Sequence, residues 1–299
     1  MMHPGDDGKG HIMSVDVHQH LWPEELVEAL RRRTAPPRLD GWTLWLDGEP
    51  PYRVTPADHD VARRAALAAE QGTDLALVSL SSPLGIEHLA AEEAAPLLDA
   101  YHAGVRVLPA PFRGWAAAPV RSPDPGSLAA LLADGFVGLQ LPATALADPR
   151  GWERSGPLLE VLERAGAPLF VHPGPAAGTA GAPAWWPAVT DYVGQMHRAW
   201  YGFRVAGRPG HPRLRVCFAM LAGLAPLHGE RFAARAEPVG PVDPDAFVET
   251  SSYGPIAVDA TVRALGTDVV VRGSDLPYAR PLEVDDRVGV VNPRRLLGL

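Results

Sequence analysis

Cysteine and lysine are almost absent from this sequence. Of its 299 residues one is cysteine, Cys217, which excludes an intrachain disulfide and any metal site built from several cysteines. The single lysine, Lys9, falls in a polar, glycine-rich segment at the N-terminus, and every other basic residue is arginine. Chemistry that needs a lysine held inside the fold, such as Schiff-base catalysis or a carbamylated lysine bridging two metals, is therefore not expected.

Long apolar runs and basic patches are also lacking. No run approaches the ~18 apolar residues that cross a bilayer, and the first apolar stretch, 12–17, contains Ser14 and Asp16 and is too short for a signal-peptide core. The formal net charge is −8. The densest basic run, 31–33, ends a helical pattern, where it complements the helix dipole. We therefore expect no nucleic-acid partner, no membrane partner and a cytoplasmic location.

Apolar runs alternate with helical patterns along most of the chain. After a polar leader (1–11), the runs that predict strands are 13–18, 75–80, 105–112, 136–141, 169–172, 214–220, 246–250 and 269–272. Strands that alternate with helices indicate βαβ units and a parallel sheet. Repeated units of this kind in one domain, 12–299, predict an α/β fold, the (β/α)8 TIM barrel, with its site residues at the carboxyl ends of the strands. A doubly wound open sheet is the alternative, but no G-x-G-x-x-G turn follows the first strand.

The segment at about 41–54 departs from this alternation. Apolar and polar residues alternate there on both sides of the turn-forming sequence Asp-Gly-Glu-Pro-Pro at 47–51. The pattern predicts a small hairpin insertion after strand 1 of the barrel.

The end of the first predicted strand carries polar side chains at a spacing of two. Because side chains alternate along a strand, Asp16, His18 and His20 share one face. Two imidazoles at this spacing can reach one metal ion. The H-x-H pattern by itself is equally consistent with histidines that bind nothing.

Two further strand ends carry candidate ligands. His172 ends the run 169–172 before a Pro-Gly turn, and Asp275 follows the run 269–272. Taken singly, His172 is consistent with a core histidine bonded to backbone, and Asp275 with a helix N-cap. Together with His18 and His20 they would meet over one barrel mouth. Three imidazoles and a carboxylate suit Zn²⁺ and also admit Mn²⁺, Fe²⁺ or Co²⁺, so we expect one divalent ion per chain, with Zn²⁺ favoured.

The stretches that carry these residues resemble the amidohydrolase-related family. The resemblance is to the branch that includes aminocarboxymuconate-semialdehyde decarboxylase and the γ-resorcylate-type decarboxylases, and its matching segments are 15–20, 170–174, 214–231, 249–252, 273–277 and 291–299. It implies a metal-dependent hydrolase or decarboxylase that acts on a small carboxylated substrate through a metal-bound water or a metal-polarised carbonyl. It also implies a homodimer, and a divalent ion held by His18, His20, His172 and Asp275. Asp275 is the catalytic candidate, because it can act as a base if it is loosely bound to the metal.

One position departs from the family pattern. On strand 6 the family has an acid/base histidine within a pattern close to A-H-x-G-G-x-x-P, whereas this chain has Ala219-Met220-Leu221-Ala222-Gly223 before Leu-Ala-Pro. A thioether cannot carry a proton. An alternative hypothesis is therefore a weakened or non-catalytic relative that keeps the metal site. Strand parity predicts that the Met220 side chain points into the barrel mouth.

Two arginines are candidates for binding a substrate carboxylate. Arg231 stands eleven residues after Met220, where the decarboxylase branch has an arginine that contacts substrate carboxylate, often across a dimer interface. A guanidinium is well suited to that contact, although a solvated helix arginine beside Glu230 explains the position equally well. Arg53, in the predicted hairpin insertion, is the second candidate.

Overall fold

The computed structural model describes residues 13–47, 49–236, 238 and 240–299. The predicted leader, 1–11, with Lys9, lies outside the described residues. The described chain is a mixed α/β structure in which most strands are parallel. The strands are β1 Val15–Gln19, β2 Arg38–Asp40, β3 Thr43–Trp45, β4 Tyr52–Arg53, β5 Leu75–Val78, β6 Phe112–Gly114, β7 Ala116–Ala117, β8 Leu139–Pro142, β9 Leu169–His172, β10 Val216–Phe218, β11 Ala246–Glu249 and β12 Val270–Val271. The α-helices are α1 Glu24–Arg31, α2 Val61–Glu70, α3 Ala91–Arg106, α4 Pro125–Ala133, α5 Pro149–Ala165, α6 Tyr192–Gly202, α7 Arg208–Gly210, α8 Gly229–Ala233, α9 Pro255–Leu265 and α10 Asn292–Leu297.

The parallel strands form two sheets, with the orders β1-β5-β6 and β12-β11-β10-β9-β8-β7. Every residue of β1, β5, β9, β10 and β11 is buried. Burial on both faces is the environment of a parallel sheet covered by helices, and it explains why these strands read as continuous apolar runs. The core therefore lies along the strands, and the polar side chains at their ends are the exceptions that need an explanation.

Backbone hydrogen bonds join the edges of the two sheets. Val137 N–H, two residues before β8, donates to Gly114 O at the end of β6, at 3.0 Å. At the opposite edges Val17 N–H of β1 donates to Arg272 O, next to β12, at 2.9 Å. Beyond that bond, Gln19 and Leu276 form a parallel bridge. The carboxyl end of β1 is thus held beside the segment that follows β12.

The predicted strand at 105–112 is wrong over most of its length. Helix α3 continues through Val105 to Arg106, because Leu98, Tyr101 and Val105 recur at helical spacing and are all buried. The strand β6 begins only at Phe112. Periodicity alone does not separate a short apolar run in a strand from the end of a buried helix.

A separate antiparallel sheet lies between α1 and α2. Its order is β2-β3-β4, with Leu39 opposite Leu44 and Leu44 opposite Tyr52. The segment predicted as a hairpin falls on β3 and β4. No helix within the described residues is both long and apolar enough to span a bilayer.

Candidate metal centre

Four side chains converge at the carboxyl ends of β1, β9 and β12. His18 lies in β1, His20 follows that strand, His172 is the last residue of β9, and Asp275 follows β12. One nitrogen or oxygen atom from each residue lies within 4.8 Å of the corresponding atoms of the others. His20 Nε2 is 3.1 Å from His18 Nε2, 3.2 Å from His172 Nε2 and 3.2 Å from Asp275 Oδ1. The structure therefore brings together the four residues that the sequence singled out as metal ligands.

The second ring nitrogen of each histidine points away from the cluster, to a hydrogen-bond acceptor. The acceptors of the three Nδ1 atoms are Glu249 Oε1 at 3.1 Å for His18, Ser79 O at 3.0 Å for His20 and Pro173 O at 2.8 Å for His172. A backbone carbonyl only accepts, so the Nδ1 atoms of His20 and His172 carry the proton and their Nε2 atoms carry a lone pair. Lone pairs that face one another at 3.2 Å repel unless a cation lies between them. This arrangement fits a divalent metal ion.

Burial and neighbouring charges set the pKa values of the same four groups. Burial is the largest influence on His20 and His172 and lowers the pKa of each, so both imidazoles are neutral near pH 7. Burial, the largest single influence, acts to lower the pKa of His18, but the carboxylates of Glu249, Asp275 and Asp16 together outweigh it and raise that pKa. For Asp275 burial opposes ionisation, but its contacts with the histidines outweigh burial and bring its pKa to about 2. An ionised carboxylate thus faces nitrogen lone pairs.

Glu249 is a buried carboxylate at the end of β11, and the sequence alone did not identify it as part of the site. Besides His18, it accepts hydrogen bonds from Met220 N at 2.8 Å and from the backbone and hydroxyl of Ser251, each at 2.6 Å. A Cβ on Gly273 would lie 2.1 Å from Glu249 Oε2, so the neighbouring strand end leaves room for this carboxylate only because it has glycine. A polar residue at the end of an apolar strand is the signal that also marked His172.

Met220 follows β10, which ends at Phe218 rather than at 220 as predicted. Met220 begins a left-handed turn, with φ values of 53° at Met220, 48° at Leu221 and 54° at Ala222. Strand parity therefore does not fix the direction of the Met220 side chain. Its backbone nitrogen bonds to Glu249 Oε1, the same oxygen that contacts His18.

The two candidate substrate arginines lie on the surface. Arg231 is exposed on α8 and Arg53 is exposed on β4. Within the described part of the chain, neither guanidinium makes a hydrogen bond or an ion pair, including to the four candidate ligands. The ring of Tyr278, by contrast, lies 5.4 Å from that of His20, between centroids.

Solved structures of high similarity cover nearly the whole chain. The apo form of IDCase from Metarhizium anisopliae superposes with a TM-score of 0.75 at 17% identity, over 96% of this chain and 97% of that one. A mutant 5-carboxyvanillate decarboxylase from Novosphingobium aromaticivorans, with bound manganese and 3-methoxy-4-hydroxy-5-nitrobenzoic acid, gives 0.71 at 16% identity, over 98% and 99%. The 5-carboxyvanillate decarboxylase LigW from Sphingomonas paucimobilis gives 0.69 at 20% identity, over 96% and 99%.

At these identities the similarity shows a shared fold. The resemblance predicted from the sequence is therefore confirmed at the level of the fold. No family model matches the sequence. No curated protein matches it in a sequence comparison.

Proposed function

We propose that this protein is a metal-dependent decarboxylase that acts on a small carboxylated substrate. The observation that carries the proposal is the convergence of three histidine Nε2 atoms and Asp275 on one point, with every Nδ1 engaged outside the cluster. The similar structures described above include decarboxylases, one of them with manganese and a benzoic acid derivative bound. Hydrolysis of a small carboxylated substrate is the other reaction that such a site supports.

The proposed architecture is a closed (β/α)8 barrel with a small insertion after its first strand. The hydrogen bonds that link β1 to Arg272 and Gly114 to Val137 support closure. The antiparallel sheet β2-β3-β4 supports the insertion. In a closed barrel the candidate ligands would lie at the carboxyl-end mouth, where enzymes with this fold carry their chemistry.

The residues proposed to hold the ion are His18, His20, His172 and Asp275. Three nitrogens and one oxygen suit Zn²⁺, and a mixed nitrogen and oxygen set also suits Mn²⁺, which a similar structure contains. When bound, a divalent ion supplies positive charge that orients and polarises a substrate carboxylate or carbonyl. The ring of Tyr278 beside His20 would give an aromatic substrate a flat apolar contact.

Asp275 is the proposed proton carrier. Both nitrogens of each histidine are committed, one to an outer acceptor and one to the centre, whereas the Asp275 side chain keeps 17% of its surface exposed. Its Oδ2 has only a long hydrogen bond from Ser252 Oγ at 3.3 Å. Decarboxylation breaks the bond to the carboxyl carbon, releases CO₂ and leaves the electron pair on the substrate carbon. That carbon then takes one proton, which Asp275 relays from solvent.

Arg231 is proposed to bind substrate carboxylate from the neighbouring subunit of a homodimer. Its exposure and its unpaired guanidinium among the described residues leave it free to do so. Arg53, exposed on β4, is proposed to act at the rim of the site.

A second candidate function is a weakened relative that keeps the metal site but turns over slowly. Met220 favours it, because the thioether stands where the family has an acid/base histidine. General acid–base catalysis contributes about 10²- to 10⁴-fold in rate, so its loss would leave measurable metal binding with low activity.

The test is a substrate panel assayed with the metal-loaded protein. Hydroxylated benzoates, including 5-carboxyvanillate and 2,6-dihydroxybenzoate, are followed for CO₂ release, and carboxylated esters and amides for hydrolysis, with Asp275→Asn as the control. The proposal predicts metal-dependent CO₂ release that Asp275→Asn loses. Hydrolysis alone would contradict it in favour of a hydrolase, and metal binding without turnover would favour the second candidate.

A further inference from the structure

Glu249 bonds to three different parts of the candidate site at once. Its side chain is fully buried. Oε1 lies 3.1 Å from His18 Nδ1, 2.8 Å from Met220 N and 2.6 Å from Ser251 Oγ, and Oε2 accepts from Ser251 N at 2.6 Å. Since an ionised carboxylate has about four acceptor positions, four donors saturate it.

We infer that Glu249 is a positioning residue for the metal site, an inference that rests on the proposed function. As an acceptor it keeps the proton of His18 on Nδ1, which leaves the Nε2 lone pair directed at His20 and Asp275. Backbone carbonyls accept from the Nδ1 atoms of His20 and His172 and fix their tautomers in the same way. His18 is therefore the one of the three histidines whose tautomer and orientation depend on a replaceable side chain.

The contact with Met220 extends this role to the turn after β10. Positive φ continues from Met220 through Leu224, and left-handed backbone is costly for residues other than glycine. The first amide of that turn is bonded to Glu249. One carboxylate oxygen thus fixes the position of the strained turn relative to His18.

The experiment compares Mn²⁺ affinity in chelator-treated wild type and Glu249→Gln, measured by the electron paramagnetic resonance of free Mn²⁺. The amide is isosteric, but its nitrogen would face an N–H donor in either orientation: Ser251 N in one, and Met220 N and His18 Nδ1 in the other. Loss of an outer partner of a ligating histidine typically weakens metal affinity ~10- to 100-fold, and this is the expected rise in Kd. Glu87→Gln is the matched control, because Glu87 is equally buried and contacts none of the four candidate ligands; its Kd should equal that of wild type.

A second readout concerns the metal-free protein. Nitrogen NMR of ¹⁵N-histidine-labelled protein, recorded at a pH above the raised pKa of His18, should show the neutral His18 ring protonated at Nδ1 in wild type and Glu87→Gln, and a mixture of tautomers in Glu249→Gln. A merely structural role would leave this signature unchanged in a variant with the wild-type circular dichroism spectrum. If Glu249→Gln does not fold, Ser251→Ala replaces it, since it removes one bond to Glu249 and should raise the Kd by a smaller factor.

Two failures are distinguishable. Wild type that binds no Mn²⁺ contradicts the proposed function itself. Wild type that binds Mn²⁺ while folded Glu249→Gln, or Ser251→Ala in its place, binds it with equal affinity and the same tautomer overturns the role of Glu249 alone.

Discussion

The side chains of the candidate metal centre differ in how readily the sequence identifies them. His18 and His20 share a strand face, His172 ends an apolar run and Asp275 follows one, so their positions on the predicted strands made them candidates that would meet at one barrel mouth. Glu249 also ends an apolar run, but its role depends on three-dimensional neighbours. Nothing in the local sequence indicates that Gly273 leaves space for its carboxylate or that Met220 donates to it.

Replacement of Met220 by histidine tests the weakened-enzyme hypothesis. The Met220 amide shares an acceptor oxygen with His18, so the residue adjoins the site, and histidine is among the residues that tolerate positive φ. We expect Met220→His to raise kcat by up to ~10²-fold on a substrate of the panel. Met220→Leu, which cannot carry a proton, should show no gain. Equal rates for the two variants at full metal occupancy would contradict the hypothesis.

Arg231 is tested by its effect on substrate binding. If its guanidinium binds a carboxylate, Arg231→Ala loses a charge-assisted hydrogen bond of roughly 1.5–3 kcal/mol. We expect KM to rise about ten- to a hundredfold, the same energy expressed as an equilibrium, with little change in kcat. Arg235→Ala, also exposed and close in sequence, is the control. A KM equal to that of wild type would remove Arg231 from the site.

At the scale of elements, the alternation of strands and helices was predictable, and the boundaries were less so. β9 has the predicted bounds, Leu169–His172. The strand prediction at 105–112 failed because a buried helix end and a buried strand are both apolar. The predicted strand at 214–220 was too long for a different reason. The left-handed turn that begins at Met220 contains Leu221 and Ala222, residues that give no sequence signal for positive φ.

Gly273→Ala tests the close approach between the ends of β11 and β12. A Cβ at this position would lie 2.1 Å from Glu249 Oε2, so the carboxylate must move and its bond to His18 must change. We expect a rise in the Kd for Mn²⁺ of ~10-fold or more, measured by titration of the chelator-treated protein. Gly194→Ala is the control, since a Cβ there meets no atom within 4 Å. Equal metal affinity in both variants would contradict the packing argument.

For the whole molecule, Glu87 predicts a dependence of stability on pH. Glu87 is fully buried, and burial raises its pKa from 4.5 to about 7, against hydrogen bonds from Ser82 and Gln140. Between these values the native state holds a proton that the unfolded state releases, so stability is greatest at low pH and falls as pH rises to about 7. The unfolding free energy should fall by about 2–3 kcal/mol more in wild type than in Glu87→Gln between pH 5 and pH 8.

Urea denaturation of both metal-free proteins at the two pH values measures this difference. The other titrating groups are common to both proteins and cancel in the comparison. Parallel pH dependences would show that Glu87 ionises as readily in the native state as in the unfolded chain.

The central claim, that His18, His20, His172 and Asp275 form a site for one divalent ion, is tested most directly by metal analysis. Protein is treated with chelator, dialysed against Zn²⁺ or Mn²⁺ and analysed for its metal content, beside His172→Ala. The account predicts about one ion per chain in wild type, the stoichiometry of a single mononuclear site, and a much lower content in folded His172→Ala. Wild type that retains its circular dichroism spectrum but binds neither ion would contradict it.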